Sequence, residues 1–176
     1  MKRMLIFLML LLLFTPLYAF SATEIIPLKE PQKKQPAAAE GAQVAITMSL
    51  QSQNGKAVPL KNMEVILCPE SAKAEIVKFR ATGRILAKQT GDFKALISDL
   101  NFMTNKAISV KAAGAQTNSQ GIATISGVQK GSYCLYAGYK DEATAGYWVI
   151  PVTVANTKKI TLKLNNKNIE ELVHRK

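Results

Sequence analysis

The sequence predicts a mainly β fold: a seven-stranded antiparallel β-sandwich carrying a two-helix insertion between its second and third strands. Three observations predict it. Short stretches of two-residue alternation recur between turn signals, as where Val44, Ile46, Met48 and Leu50 alternate with Ala45, Thr47, Ser49 and Gln51. The stretch from Thr117 to Gly138, TNSQGIATISGVQKGSYCLYAG, reads as two strands with turn chemistry at Thr117–Gly121 and a short loop bracketed by Gly127 and Gly131. After Pro69 the apolar period changes from two to three and four, the spacing of a helix with one buried face.

The chain opens with Lys2 and Arg3 before an unbroken apolar run from Met4 to Phe14, and Ala19, Phe20 and Ser21 give a small-x-small cleavage pattern. Residues 1–21 are therefore expected to be an export signal. The apolar run stops at Thr15 and Pro16, short of the roughly 20 residues that a membrane span needs. No integral span is expected after cleavage, and no Cys follows the run to take a lipid. Residues 22–43 hold three prolines and no apolar periodicity, and read as a flexible linker. The expected domain is 44–165, with the insertion at 70–106 and a frayed or helical tail at 166–176.

Within that domain the first strand is Val44–Leu50, and Asn54-Gly55 turns the chain. In the second, Met63, Val65 and Leu67 share one face while Glu64, Ile66 and Cys68 share the other. Ser71 is the expected N-cap of a first inserted helix that runs to Lys88 with Ala72, Ile76, Phe79, Gly83 and Leu86 on one stripe. A second helix begins near Asp92, with Phe93, Leu96, Ile97, Leu100 and Met103 on its apolar side. Strand pattern is expected again at Ile108 and Val110, then through the Thr117–Gly138 stretch. Trp148, Ile150, Val152 and Val154 alternate with Tyr147, Val149, Pro151 and Thr153, and Asn156-Thr157 turns into Ile160, Leu162 and Leu164.

The motif T-N-x-x-G-x-A-x-I-x-x-V-x-x-G-x-Y-x-L, with Gly121, Val128, Gly131, Tyr133 and Leu135 in place, resembles the carboxypeptidase regulatory-like modules of exported bacterial proteins. That resemblance implies a transthyretin-like, Ig-like sandwich. It also implies that the strand of Met63–Cys68 lies beside the strand of Tyr133–Tyr136, which puts Cys68 and Cys134 together on the outer face of one sheet. A disulfide is then expected between them in an oxidising compartment, closing a loop worth roughly 4 kcal/mol in the chain-entropy model. Ile66, Cys68, Cys134 and Tyr136 are too apolar for a wetted face, and the inserted helices are the available cover. The segment YKDEATAGYWVIPVTVANTKKITLKLNNKNI also looks like the sandwich of type VI secretion outer-membrane lipoproteins, although their lipidated Cys is missing here.

Catalytic chemistry finds little support. The single His, His174, lies two residues from the end, and carboxylates number only 12 with no acid–base spacing. The chain ends Glu-Leu-Val-His-Arg-Lys, unlike the Tyr-Arg-Gly-Ser of transthyretin-like hydroxyisourate hydrolases. The positions resembling the lysine and the assisting acid of isopeptide-forming adhesin modules hold Leu50 and Ala137. No metal ligand set and no cofactor are expected.

The charge is more informative. Removing Lys2 and Arg3 lowers the formal net charge from +11 only to +9, a balance that favours anionic partners, and for an exported protein these are envelope polymers or proteins rather than nucleic acid. Between Ser71 and Lys88 the basic residues Lys73, Lys78, Arg80, Arg84 and Lys88 face one acid, Glu75. They are the anion-binding candidates, a solvated helix face being the alternative. Tyr139 and Tyr147 are candidates for an aromatic contact with sugar or peptide, unless they pack at a sheet edge or under the helices. The expectation is a non-enzymatic periplasmic or secreted binding module, with an accessory component of a secretion apparatus as the alternative.

Overall fold

The computed structural model describes residues 41–52, 54–78, 89 and 93–175, all within one unit, Pro36–Lys176. The expected signal at 1–21, nearly all of the expected linker, and Arg80, Arg84 and Lys88 lie outside the described residues.

The described elements run β1 (Ala42–Gln51), β2 (Ala57–Pro59), β3 (Glu64–Pro69), a 3-10 turn (Glu70–Ala72), α1 (Lys73–Val77), α2 (Phe93–Ser109), β4 (Ala113–Gln116), β5 (Ile122–Val128), β6 (Gly131–Lys140), β7 (Thr144–Val154), β8 (Lys159–Leu164) and β9 (Glu171–His174). Two sheets form. In one, β1 lies between β5 and β8 and adds β2 at its end; the other has the order β4-β3-β6-β7-β9.

Alternation along the strands decides what lies between the sheets. Val44, Ile46 and Met48 of β1 meet Val65 and Leu67 of β3, Leu135 and Ala137 of β6, and Trp148 of β7. Trp148 is fully buried and its indole N–H donates to the Asn165 carbonyl at 3.1 Å, so this large ring leaves no unpaired donor inside. The Thr117 turn ties the two sheets' loops together. Thr117 Oγ1 donates to the Leu60 carbonyl (2.6 Å) and accepts from the Met63 N–H (2.8 Å), while Asn118 Oδ1 accepts from the N–H groups of Gln120 and Ile122 (2.9 and 3.0 Å).

Four expectations are corrected. Nine strands, not seven, occur among the described residues, and β1 pairs β8 in parallel, so the sandwich is not wholly antiparallel. β8 reaches β1 from the opposite sheet rather than through a hairpin, and nothing in that path forces an antiparallel direction. Ser71 is no N-cap: Pro69, in extended backbone, precedes the 3-10 turn, and Ser71 sits exposed within it. Ile108 is the penultimate residue of α2 rather than strand, and Val110 follows the helix end; the strand is Ala113–Gln116, held by pairing with β3.

The fourth correction concerns the tail, where Glu171–His174 forms β9 on the edge of β7. Gly146 makes this approach possible, since a Cβ there would stand 2.5 Å from the Glu171 carbonyl oxygen. His174 is consequently held, its Nδ1 3.1 Å from Thr144 Oγ1, although it remains exposed.

Candidate functional site

The outward phase of the five-stranded sheet carries Ile66 and Cys68 on β3, Cys134 and Tyr136 on β6, and Ala145, Tyr147 and Val149 on β7, all buried. The cover is the helical layer. On α2, Leu96, Leu100, Met103 and Ala107 recur at spacings of four and three and present one buried stripe to the sheet, while α1 contributes Ile76. Ile66, Tyr136 and Met103 each have at most 1% of their surface exposed, and burying side chains of this size is worth about 1.5–3 kcal/mol apiece. The sequence-based expectation of a covered outer face holds.

A polar contact between Tyr136 and Thr104 crosses this second core. Thr104 Oγ1 donates to the Leu100 carbonyl at 2.8 Å, which leaves the Tyr136 hydroxyl to donate to Thr104 Oγ1, also at 2.8 Å. Burial pushes the Tyr136 pKa up, with the Thr104 contact pulling weakly the other way. Lys106 of α2 pairs with Glu75 of α1, and that hydrogen bond holds the exposed Glu75 carboxyl below its usual range.

Cys68 and Cys134 are direct partners in the β3–β6 register, both buried and both free thiols. Their proximity, added to burial, holds the Cys68 thiol well above its ordinary pKa and lowers that of Cys134. His174 gives them no catalytic base. Thr144, its partner on β7, is seven residues from Pro151, the partner of Cys134, which separates them by roughly 20 Å along the sheet.

Lys73 is half-buried at the start of α1, and Lys78 is exposed just beyond its end. The two proposed aromatic contacts do not share a surface. Tyr147 is 3% exposed and belongs to the core under the helices, so its ring is not open to a ligand. Tyr139 packs against the core between the sheets, and its hydroxyl donates to the Asp141 carboxylate. Burial, then that hydrogen bond, pushes the Tyr139 pKa up to about 12. Burial disfavours the Asp141 carboxylate, but the Tyr139 hydroxyl and the N–H groups of Ala143 and Thr144 outweigh it and hold the pKa down.

Sequence reasoning missed one feature. A groove of about 430 Å³ at one end of the sandwich is lined by exposed Lys130, Asn156 and Lys158 and by buried Ala42, Val128 and Val154. Its only signal was the Asn156-Thr157 turn, because the loops that meet there are far apart in the chain. Among the described residues no group of three or more His, Cys, Asp or Glu could hold a metal ion, and no helix is long and apolar enough to cross a membrane.

No protein-family model matches this chain, and no curated protein matches it. Solved structures similar to it include a Pseudomonas aeruginosa protein described as a candidate carbohydrate binder, at 18% identity over 74% of this chain and 91% of that one, with a TM-score of 0.48. The major pilin subunit of Bacillus cereus is 13% identical over 77% of this chain and 30% of its own, with a TM-score of 0.38. A fimbrial protein of Actinomyces oris is 12% identical over 74% of this chain and 32% of its own, with a TM-score of 0.39. The chain thus spans about a third of each of these two surface-fibre proteins.

Proposed function

We propose that this chain is a non-enzymatic exported module that docks an anionic cell-envelope partner, protein or polymer, through its basic inserted helix. The observation that carries the reading is the seating of the helical layer. α1 buries Ile76 and packs Val77 against the covered face, while Glu75 and, just past the helix end, Lys78 are exposed, and the Ser71–Lys88 stretch to which α1 belongs holds five basic residues and one acid. Exposed charges attract weakly one at a time, about 1 kcal/mol at contact in water, so several must act together and binding should fade with salt. Export is supported by the basic start and apolar run at 1–21.

A second reading has its own observation, the groove that brings Lys130 and Lys158 beside Asn156. The experiment separates the two. Arg80→Glu with Arg84→Glu is expected to abolish retention on phosphocellulose while leaving the melting temperature nearly unchanged. Lys130→Glu with Lys158→Glu reports on the groove. Lys61→Glu with Lys167→Glu, both exposed, makes the same change in net charge away from either site. Loss only with the groove pair would favour the second reading, and equal loss in all three would reduce the effect to bulk charge.

A further inference from the structure

Cys68 and Cys134 stand opposite each other on adjacent antiparallel strands, on the face that also carries Ile66 and Tyr136, and neither has any exposed surface. Directly paired residues in such strands have Cα atoms about 4.5–5.5 Å apart, within the span that a disulfide bridges without moving the backbone. Each thiol approaches a carbonyl, Ala107 at 3.5 Å for Cys68 and Pro69 at 3.8 Å for Cys134, and the two thiols also hydrogen-bond each other. Ala107 belongs to α2, so the helix that covers the pair also contacts its sulfur.

We infer that Cys68 and Cys134 are an oxidisable pair that closes into a disulfide before the helical layer docks and is afterwards shielded by that layer from external thiols. The oxidant is a small-molecule or protein disulfide. One cysteine thiolate attacks a sulfur of that disulfide and expels a thiolate, leaving a mixed disulfide. The second cysteine, deprotonated, attacks the protein sulfur of the mixed disulfide and expels the other thiolate. Two protons leave the protein, one disulfide forms, and the external disulfide is reduced to two thiols. An attacking reagent must approach a sulfur in line, and in the folded chain neither sulfur is reachable. The undocked state supplies that access.

The test uses the full chain. Reduced protein is refolded from denaturant in glutathione with glutathione disulfide, then denatured, alkylated with iodoacetamide and mapped by mass spectrometry. Two unalkylated cysteines and a peptide linking Cys68 to Cys134 are expected; two alkylated cysteines would overturn the pairing. Folded, reduced protein placed in the same buffer without denaturant is expected to oxidise at least ten times more slowly than during refolding. Equal rates would overturn the shielding. Met103→Ala, which loosens α2 on the sheet, is expected to speed oxidation of the folded protein several-fold, and no change in rate would put the barrier outside the helical layer and overturn that part of the inference.

Discussion

The Tyr136 hydroxyl and Thr104 Oγ1 meet at 2.8 Å, and this contact joins the middle strand of the five-stranded sheet to the helix that covers it. Removing either partner has unequal consequences. In Tyr136→Phe, Thr104 keeps its bond to the Leu100 carbonyl, so the expected loss is about 1 kcal/mol. In Thr104→Val the buried Tyr136 hydroxyl keeps only a 3.4 Å approach to the same carbonyl, and the expected loss is larger, about 1–3 kcal/mol. Urea unfolding of both single variants and the double variant checks this, and their non-additivity measures the coupling.

The Tyr139–Asp141 pair predicts a pH signature at both ends. Tyr139 has its folded pKa raised from the ordinary value near 10 to about 12, so its contribution to stability is complete below pH 10 and is lost as pH rises from 10 to 12. Asp141 has its folded pKa lowered, so its contribution is present above its unfolded value near 3.9 and is lost as pH falls through the folded one. Thermal unfolding of wild type and Tyr139→Phe from pH 2 to 12 is expected to show the wild type's advantage shrinking at both extremes.

Gly121 lies at φ +73°, and a Cβ there would stand 2.4 Å from the Met48 carbonyl oxygen. Gly55 has a similar φ of +78° with nothing within 4 Å of its added Cβ. Gly55→Ala therefore carries only the backbone penalty, about 1–2 kcal/mol, while Gly121→Ala adds displacement of β1 and should cost clearly more. Denaturant midpoints of the two variants decide it.

Much of this architecture was legible because period two is unambiguous where one face is buried. Val44, Ile46 and Met48 of β1 stand out that way from residue type alone, whereas Val65 and Leu67 on one side and Ile66 and Cys68 on the other are all buried, so their sides and the matching phase of Cys134 and Tyr136 came from the resemblance together with strand phase. The strand Ala113–Gln116 was illegible for the converse reason. Its sequence, AGAQ, has no β-branched or aromatic residue, and pairing with β3 recruits it. Ile108 and Val110 carry the β propensity that AGAQ lacks, which drew the strand assignment to the end of a helix. The last strand, ELVH, owes its place to the clearance at Gly146, 25 residues earlier in the chain than Glu171. The groove at Lys130 and Lys158 depends on three loops meeting, which no local pattern records.

The inserted helices are an integral cover on the outer face of the five-stranded sheet. The most direct test of that cover deletes residues 70–110. Ala112 N–H already donates to the Leu67 carbonyl at 2.9 Å, and Leu67 pairs with Ala113, so a short Gly-Ser link from Pro69 to Lys111 closes a β3–β4 hairpin without moving either strand. The measurement is binding of the dye ANS to the deletion variant at a pH where the full chain is dye-silent. Ile66, Tyr136 and Tyr147 would then be uncovered together, and a several-fold rise in fluorescence is expected with the strand signal in circular dichroism retained. A soluble deletion variant that keeps its strands and leaves the dye dark would contradict it.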